Sequence, residues 1–154
     1  MPSSAPYGKV TPEVADALRA ACGAAFVVTS EEERRPYGRD ETEDLWFDPE
    51  IVVRPRTTEE VAAVLRVATA HRIPVTPRAG GTGLSGGALP VRGGIVLSVD
   101  RMDSILEIDR ENLVAVVEAG VITQRLQEAC EKVGLYYPPD PASRGSCTLG
   151  GNVA

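Results

Sequence analysis

Cysteine is scarce in this 154-residue sequence. Cys22, Cys130 and Cys147 are odd in number, widely spaced and without a C-x-x-C pair. That excludes a disulfide framework and a zinc knuckle, and leaves Cys22 and Cys130 as small hydrophobes on helix faces. Lysine is rarer still: with only Lys9 and Lys132, no Gly-Lys-Ser/Thr closes any glycine run, so a Walker A phosphate loop is excluded. No stretch approaches the roughly 18 to 20 apolar residues of a membrane span, and MPSSAPYGKV has no apolar run behind a basic segment. A cytoplasmic protein is expected. A net charge of -6 and a pI near 4.9 give no general attraction for nucleic acid or anionic lipid.

What is present is a globular composition, 43% hydrophobic and 25% charged, without repeats or low-complexity tracts. Thr11 followed by Pro12 predicts a helix over residues 11–22, stopped by Gly23, and FVVT then reads as a short strand. SEEERRPYGRDETEDLWFDPE is charged and turn-rich, which predicts a surface loop joining an N-terminal appendage to the main body. Within it, Arg35, Arg39 and Asp40 read as solvated and Trp46 as a packing residue. IVVR reads as a strand, Thr57 to Glu60 as a capping box, and Val61, Val64, Leu65 and Ala68 as one apolar helix face. Strands follow at IPVTP, GGIVLSVD, ILEID and LVAVVEAG, making a short parallel βαβ unit from Ile51 to Pro77 and further strands beyond it. Thr123 opens a helix with Leu126, Ala129, Cys130 and Val133 on its face and Gly134 at its end. The closing LYYPPDPASRGSCTLGGNVA reads as extended.

The candidate chemistry lies in PRAGGTGLSGG. Letter by letter GTGLSG, Gly81 to Gly86, satisfies the G-x-G-x-x-G pattern of dinucleotide sites, but that pattern works only where its last glycine opens a helix. Here ALPVRGG follows and the chain enters a strand, so a nicotinamide site fails on context. The underlying physics survives. Gly80, Gly81, Gly83, Gly86 and Gly87 can bring successive peptide N–H groups against an anion, with Arg78 at the entrance and Thr82 and Ser85 adding hydroxyls. The competing reading is a tight turn with no ligand. SCTLGGNVA repeats hydroxyls beside a Gly-Gly pair, and PPDPAS stiffens the chain before it, so two bends facing one groove could grip an elongated nucleotide by bare peptide nitrogens rather than by a helix end.

The order IPVTPRAGGTGLSGGALP, GGIVLSVDRMDSILEID, LVAVVEAGV and LYYPPDPASRGSCTLGGNVA resembles the FAD-binding, p-cresol methylhydroxylase (PCMH) type domain of the vanillyl-alcohol oxidase superfamily. Within it the sequence is most similar to FAD-linked 2-hydroxyacid dehydrogenases of the glycolate oxidase and D-lactate dehydrogenase kind, over roughly Arg35 to Ala154. The resemblance implies an α+β fold. It implies that Pro77, Arg78, Ala79, Gly80, Gly81, Thr82, Gly83 and Leu84 wrap the FAD pyrophosphate. Pro139, Asp140 and Pro141 would line the cofactor's path, and Ser146, Gly150, Gly151 and Asn152 would touch its diphosphate and ribityl portions. Relatives that tether flavin covalently through this first loop place a histidine about where Thr82 stands. The one histidine here, His71, reads as a surface residue at a helix C-terminus, so FAD is expected to be held without a covalent bond. Cys147 reads as a packed or flavin-adjacent bystander.

The resemblance divides the chain into an N-terminal helix and connecting loop, 1–44, and the N-terminal part of the FAD-binding domain, 45–154. It implies a continuation into a second flavin-binding half and a cap carrying the substrate site, where relatives use a histidine base and often a divalent metal. No catalytic or metal-binding residue is therefore assigned within these 154 residues, and the chain alone is expected to bind FAD weakly or not at all and to lack turnover. The expected function is the FAD-binding portion of an oxidoreductase moving hydride from a 2-hydroxy acid to flavin, with other subunits of an oxidase complex as possible partners. The alternatives are a non-catalytic flavin-binding subunit, or a flavoenzyme of the same fold with another substrate, such as an alkylglycerone phosphate synthase or an aryl-alcohol oxidase.

Overall fold

A computed structural model describes residues 6–154. Helix α1 (Pro12–Cys22) begins where Thr11 Oγ1 accepts the Val14 N–H at 3.4 Å and Pro12 occupies the first turn, and it ends at Gly23, whose φ is 85°. β1 (Val27–Val28) follows, then the expected surface loop departs from its prediction. Ser30 caps a short helix α2 (Glu31–Arg34), a 3-10 turn runs over Arg35–Gly38, and Gly38, Asp40 and Pro49 are buried. Charge density concealed a segment that lies against the body of the protein.

The main sheet is mixed, in the order β1-β2-β4-β3, with β2 (Ile51–Val53), β3 (Val75–Arg78) and β4 (Ile95–Ser98). β4 pairs in parallel with both β2 and β3, and β1 runs antiparallel along β2. Ile51, Val52 and Val53 and all of β4 are buried, the continuous apolar run that parallel strands covered on both faces require. β3 holds the edge, consistent with Pro77, which has no N–H to give a second neighbour. The βαβ unit therefore has an extra strand: β4 inserts between β2 and β3, beyond the reach of periodicity.

Helix α3 (Thr58–Ala70) connects β2 to β3. Its capping box is half formed, because Thr57 Oγ1 accepts the Glu60 N–H at 3.2 Å while the Glu60 carboxylate accepts from Arg56 N–H at 2.6 Å, one residue before the box. Val64 and Ala68 are buried, Val61 and Val67 pack beside them, and Leu65, expected on that face, is exposed. Val14, Ala15, Leu18 and Cys22 of α1 belong to the same core as Ile51, Val53, Val64, Ile95 and Leu97, so α1 is a wall of this core and not an appendage to it.

β5 (Ile105–Asp109) and β6 (Val114–Val117) form a separate antiparallel hairpin over helix α4 (Thr123–Lys132), enclosing a second cluster around Val121, Leu126, Cys130 and Leu149. Gly134, at φ 77°, follows the last turn of α4 as expected. The last element corrects an expectation: the chain around GGN is not extended but a short helix, α5 (Leu149–Val153), whose N-cap Thr148 accepts the Gly151 N–H at 3.3 Å. Arg56 ties the two clusters together. Its guanidinium donates to the Arg101 carbonyl, to Glu118 at 3.2 Å and to Ser104 Oγ at 3.2 Å, with Asp103 at 3.5 Å. No helix among the described residues is long and apolar enough to cross a membrane.

Candidate functional site

Polar side chains gather at the carboxyl ends of the parallel strands, where open α/β sheets bind ligands. Beyond β2 and β4, Arg54 grips Asp100 through Nε and Nη2 at 2.9 and 2.6 Å, and Ser98 Oγ donates to the same carboxylate at 3.0 Å. β3 ends at Arg78, whose guanidinium carbon lies 5.8 Å from the ring centre of Tyr37. Burial pulls the Arg78 guanidinium below the ordinary arginine range, opposed by Asp40 and Tyr37. Burial likewise pushes the Tyr37 phenol up. Arg78 Nη1 is buried without a hydrogen-bond partner among the described residues. An unpartnered cationic N–H costs free energy that an anion would recover.

The glycine loop starts directly after Arg78. From Gly80 to Ser85, no peptide N–H donates to an acceptor among the described residues. Gly81 has φ 67°, and a Cβ there would collide with the Arg78 guanidinium, so the turn passes directly over that cation. Thr82 is half-buried, Gly83 is exposed, and Leu84 projects from the loop tip at 76% exposure. Pro77 lies exposed on the edge strand below. Free peptide donors above a guanidinium with a buried, unpartnered N–H are a place for a polyanion, which is the donor set a nucleotide diphosphate needs.

The two glycine elements converge. A Cβ on Gly80 would strike the Ser146 carbonyl, and Ala79 Cβ is 3.7 Å from where a Cβ on Gly151 would stand. The second element nevertheless works differently from expectation. The Gly150 N–H donates to Ala119 O at 2.9 Å, Gly151 N–H to Thr148 Oγ1, Asn152 N–H to Thr148 O, and Ser146 N–H to Ser143 O. Its peptide nitrogens are spent internally, so bare N–H groups belong to the first loop alone. What the second element offers is a side chain. Asn152 Nδ2 donates to Thr123 Oγ1 at 2.7 Å, which fixes the amide and leaves Oδ1 without a partner among the described residues. Thr123 is fully buried and touches Cys147 Sγ at 3.2 Å, so Cys147 is a packed thiol in the support of this element. Pro139, Asp140 and Pro141 stand apart: Asp140 pairs with Arg144 at 3.0 Å, Pro139 O accepts from Gln127, and none hydrogen-bonds to the glycine loop among the described residues.

Sequence reasoning missed Tyr37, Asp40, Thr42 and Thr123. Asp40 is only 8% exposed, against the expectation of a solvated residue, and Thr42 reaches the glycine loop. Their signal was the run YGRDET, in which a buried glycine and a small hydroxyl sit among charges; Thr123 resembled an ordinary helix start. Arg35 stays at the surface as expected, while Trp46, expected to pack, is exposed with the Arg35 guanidinium 5.1 Å from its ring centre; His71 is exposed at the end of α3.

A parallel sheet edge whose carboxyl end carries free peptide donors, a desolvated arginine and an abutting second glycine element has the donor set that a nucleotide diphosphate would need. The chain belongs to the FAD binding domain family, whose model matches residues 49–154. It is 42% identical over 144 residues to glycolate oxidase subunit GlcD of Bacillus subtilis (strain 168), covering 94% of this chain and 31% of that protein. It is 39% identical over 155 residues to the D-lactate dehydrogenase of Anaerostipes hadrus, covering 96% and 31%. The structure of p-cresol methylhydroxylase with substrate bound superimposes with a TM-score of 0.82 at 26% identity, over 94% of this chain and 30% of that one. The α+β fold is that of the PCMH-type FAD-binding domains, and FAD is the cofactor. The chain spans about 31% of the length of these curated relatives.

Proposed function

We propose that this chain is the N-terminal FAD-binding portion of an oxidoreductase that oxidises a 2-hydroxy acid of the glycolate or D-lactate kind, in the cytoplasm. FAD, when bound, supplies the acceptor for a hydride from the substrate's α-carbon. The residues of this chain hold and orient it. The peptide N–H groups from Gly80 to Leu84 receive the diphosphate, with Pro77 and Ala79 framing the loop and Arg78 opposing its charge. Ser146, Gly150 and Gly151 wall the other side, and Asn152 Oδ1 accepts from a hydroxyl of the ribityl chain. Pro139, Asp140 and Pro141 line the path beyond. With threonine and no histidine at position 82, FAD is held without a covalent bond.

The carrying observation is the run of unengaged peptide donors from Gly80 to Ser85, seated over the unpartnered Arg78 Nη1. The names of the relatives support the substrate class, and the word subunit in one of them supports assembly into an oxidase complex. Residues 1–44, which supply Tyr37, Asp40 and Thr42, then serve the flavin domain of 45–154 as its support. The test is an amide-resolved NMR titration of this chain with FAD, ADP and NAD. FAD should shift the Gly80–Ser85 amides at lower concentration than ADP, with NAD no tighter than ADP. FAD shifts that fall on other amides and spare Gly80–Ser85, or tighter binding of NAD, overturn the reading.

A further inference from the structure

The stretch Tyr37 to Thr42 makes more contacts with the glycine loop than a connecting segment needs. Glu41 N–H donates to Gly83 O at 3.1 Å, and Thr42 Oγ1 accepts the Gly86 N–H at 2.8 Å. These two bonds fall on either side of Leu84 and Ser85, at the shoulders of the loop. Thr42 is itself set by Asp40, whose Oδ1 accepts the Thr42 N–H at 2.9 Å. Asp40 is more than nine-tenths buried, and its Oδ2 has no partner among the described residues. Arg78 Nη1, at the foot of the same loop, is likewise buried without a partner among the described residues. The Tyr37 ring lies 5.8 Å from the same guanidinium.

The physical need is clear from the loop's composition. Ordering a residue costs backbone entropy, and glycine costs the most. A run from Gly80 to Ser85 with no internal hydrogen bond would, unaided, sample many conformations and meet an anion at a large ordering cost. Fixing its shoulders in advance lowers that cost.

We propose that residues 37–42 form a positioning strap for the diphosphate loop, with Thr42 pinning the loop's conformation and Asp40 setting Thr42. This rests on the reading of Gly80 to Ser85 as the diphosphate cradle. Thr42 and Asp40 are positioning residues and touch no ligand themselves.

The test compares wild type, Thr42→Val and Thr42→Ser in the FAD titration, together with amide hydrogen exchange on the ligand-free chain. In the wild type the Gly86 N–H should exchange more slowly than those of Gly80 to Ser85, a readout that needs no variant. Thr42→Val should lose that protection, move the Gly86 resonance and weaken FAD roughly tenfold, as expected for one loop-setting hydrogen bond. Thr42→Ser, which keeps the hydroxyl, should restore both. Should Thr42→Val bind FAD within about twofold of wild type, or Thr42→Ser bind as poorly as valine, the strap is overturned while the cradle stands. If FAD shifts amides elsewhere in the wild type and none from Gly80 to Ser85, the cradle fails and takes the strap with it.

Discussion

The main chain of Gly80 lies against the carbonyl of Ser146, in space that the Cβ of any other residue would need. This contact joins the two glycine elements, and it makes glycine obligatory for a steric reason independent of any ligand. Gly80→Ala should therefore destabilise the fold by about 1–3 kcal/mol through overpacking. Gly81→Ala, strained at φ 67° and pressed on Arg78, should behave alike. A Cβ at Gly83 meets nothing within 4 Å, so Gly83→Ala should be neutral or gain roughly 0.4–1 kcal/mol. Urea denaturation of the three variants checks the contrast, and equal losses at all three would refute the steric account.

Arg56 is the tie between the main sheet and the β5–β6 hairpin. The guanidinium is partly exposed, so its ion pairs contribute little singly, yet it satisfies the Arg101 carbonyl and Ser104 as well. Arg56→Met should lower stability by about 1–2 kcal/mol. It should also speed amide exchange in β5 and β6 more than in β4, which mass-resolved exchange would detect.

Acid should loosen the packing near the N-terminus through Glu50. Burial alone would raise this carboxyl, but hydrogen bonds from Val10 N–H, Lys9 and Gly94 N–H outweigh it and hold the folded value below 4.5. A depressed folded value means the stabilisation is present above the unfolded value of 4.5 and is lost as pH falls through the folded one. Thermal unfolding from about pH 6 down to about pH 3 should show a smaller decline in Glu50→Gln than in wild type.

The three thiols should be inert in the folded protein. All are buried, and burial, reinforced by Glu60, pushes Cys22 up to about 11. A thiol without thiolate is a poor nucleophile. At neutral pH an alkylating reagent should add to none of them until urea is present, after which the mass should rise by three adducts. Labelling of Cys147 in the native state would contradict its packing against Thr123.

The sequence carried its local chemistry well. Thr11 with Pro12, Gly23, Thr57 and Gly134 mark helix ends by hydrogen-bonding and φ preferences that act over a few residues, and each acts where expected. The convergence of the two glycine elements was also anticipated. What stayed hidden was set by distant partners. Nothing near Asp40 reveals that it will be buried within a strap reaching Gly86, and β4's position between β2 and β3 depends on pairing across the whole sheet. The Gly150-Gly151 pair misled because glycine usually argues against a helix, whereas Thr148 caps one there and Ala119 O takes its first N–H.

The glycine loop is also the only route by which the chain passes from β3 at the edge to β4 at the centre of the sheet. Two parallel ladders wait on that passage, and non-local parallel pairing is the slow part of folding. Changes to the loop thus act on the speed of assembly as well as on the finished surface. Stiffening substitutions that narrow its search should hasten collapse of the sheet, even where they spoil the cradle.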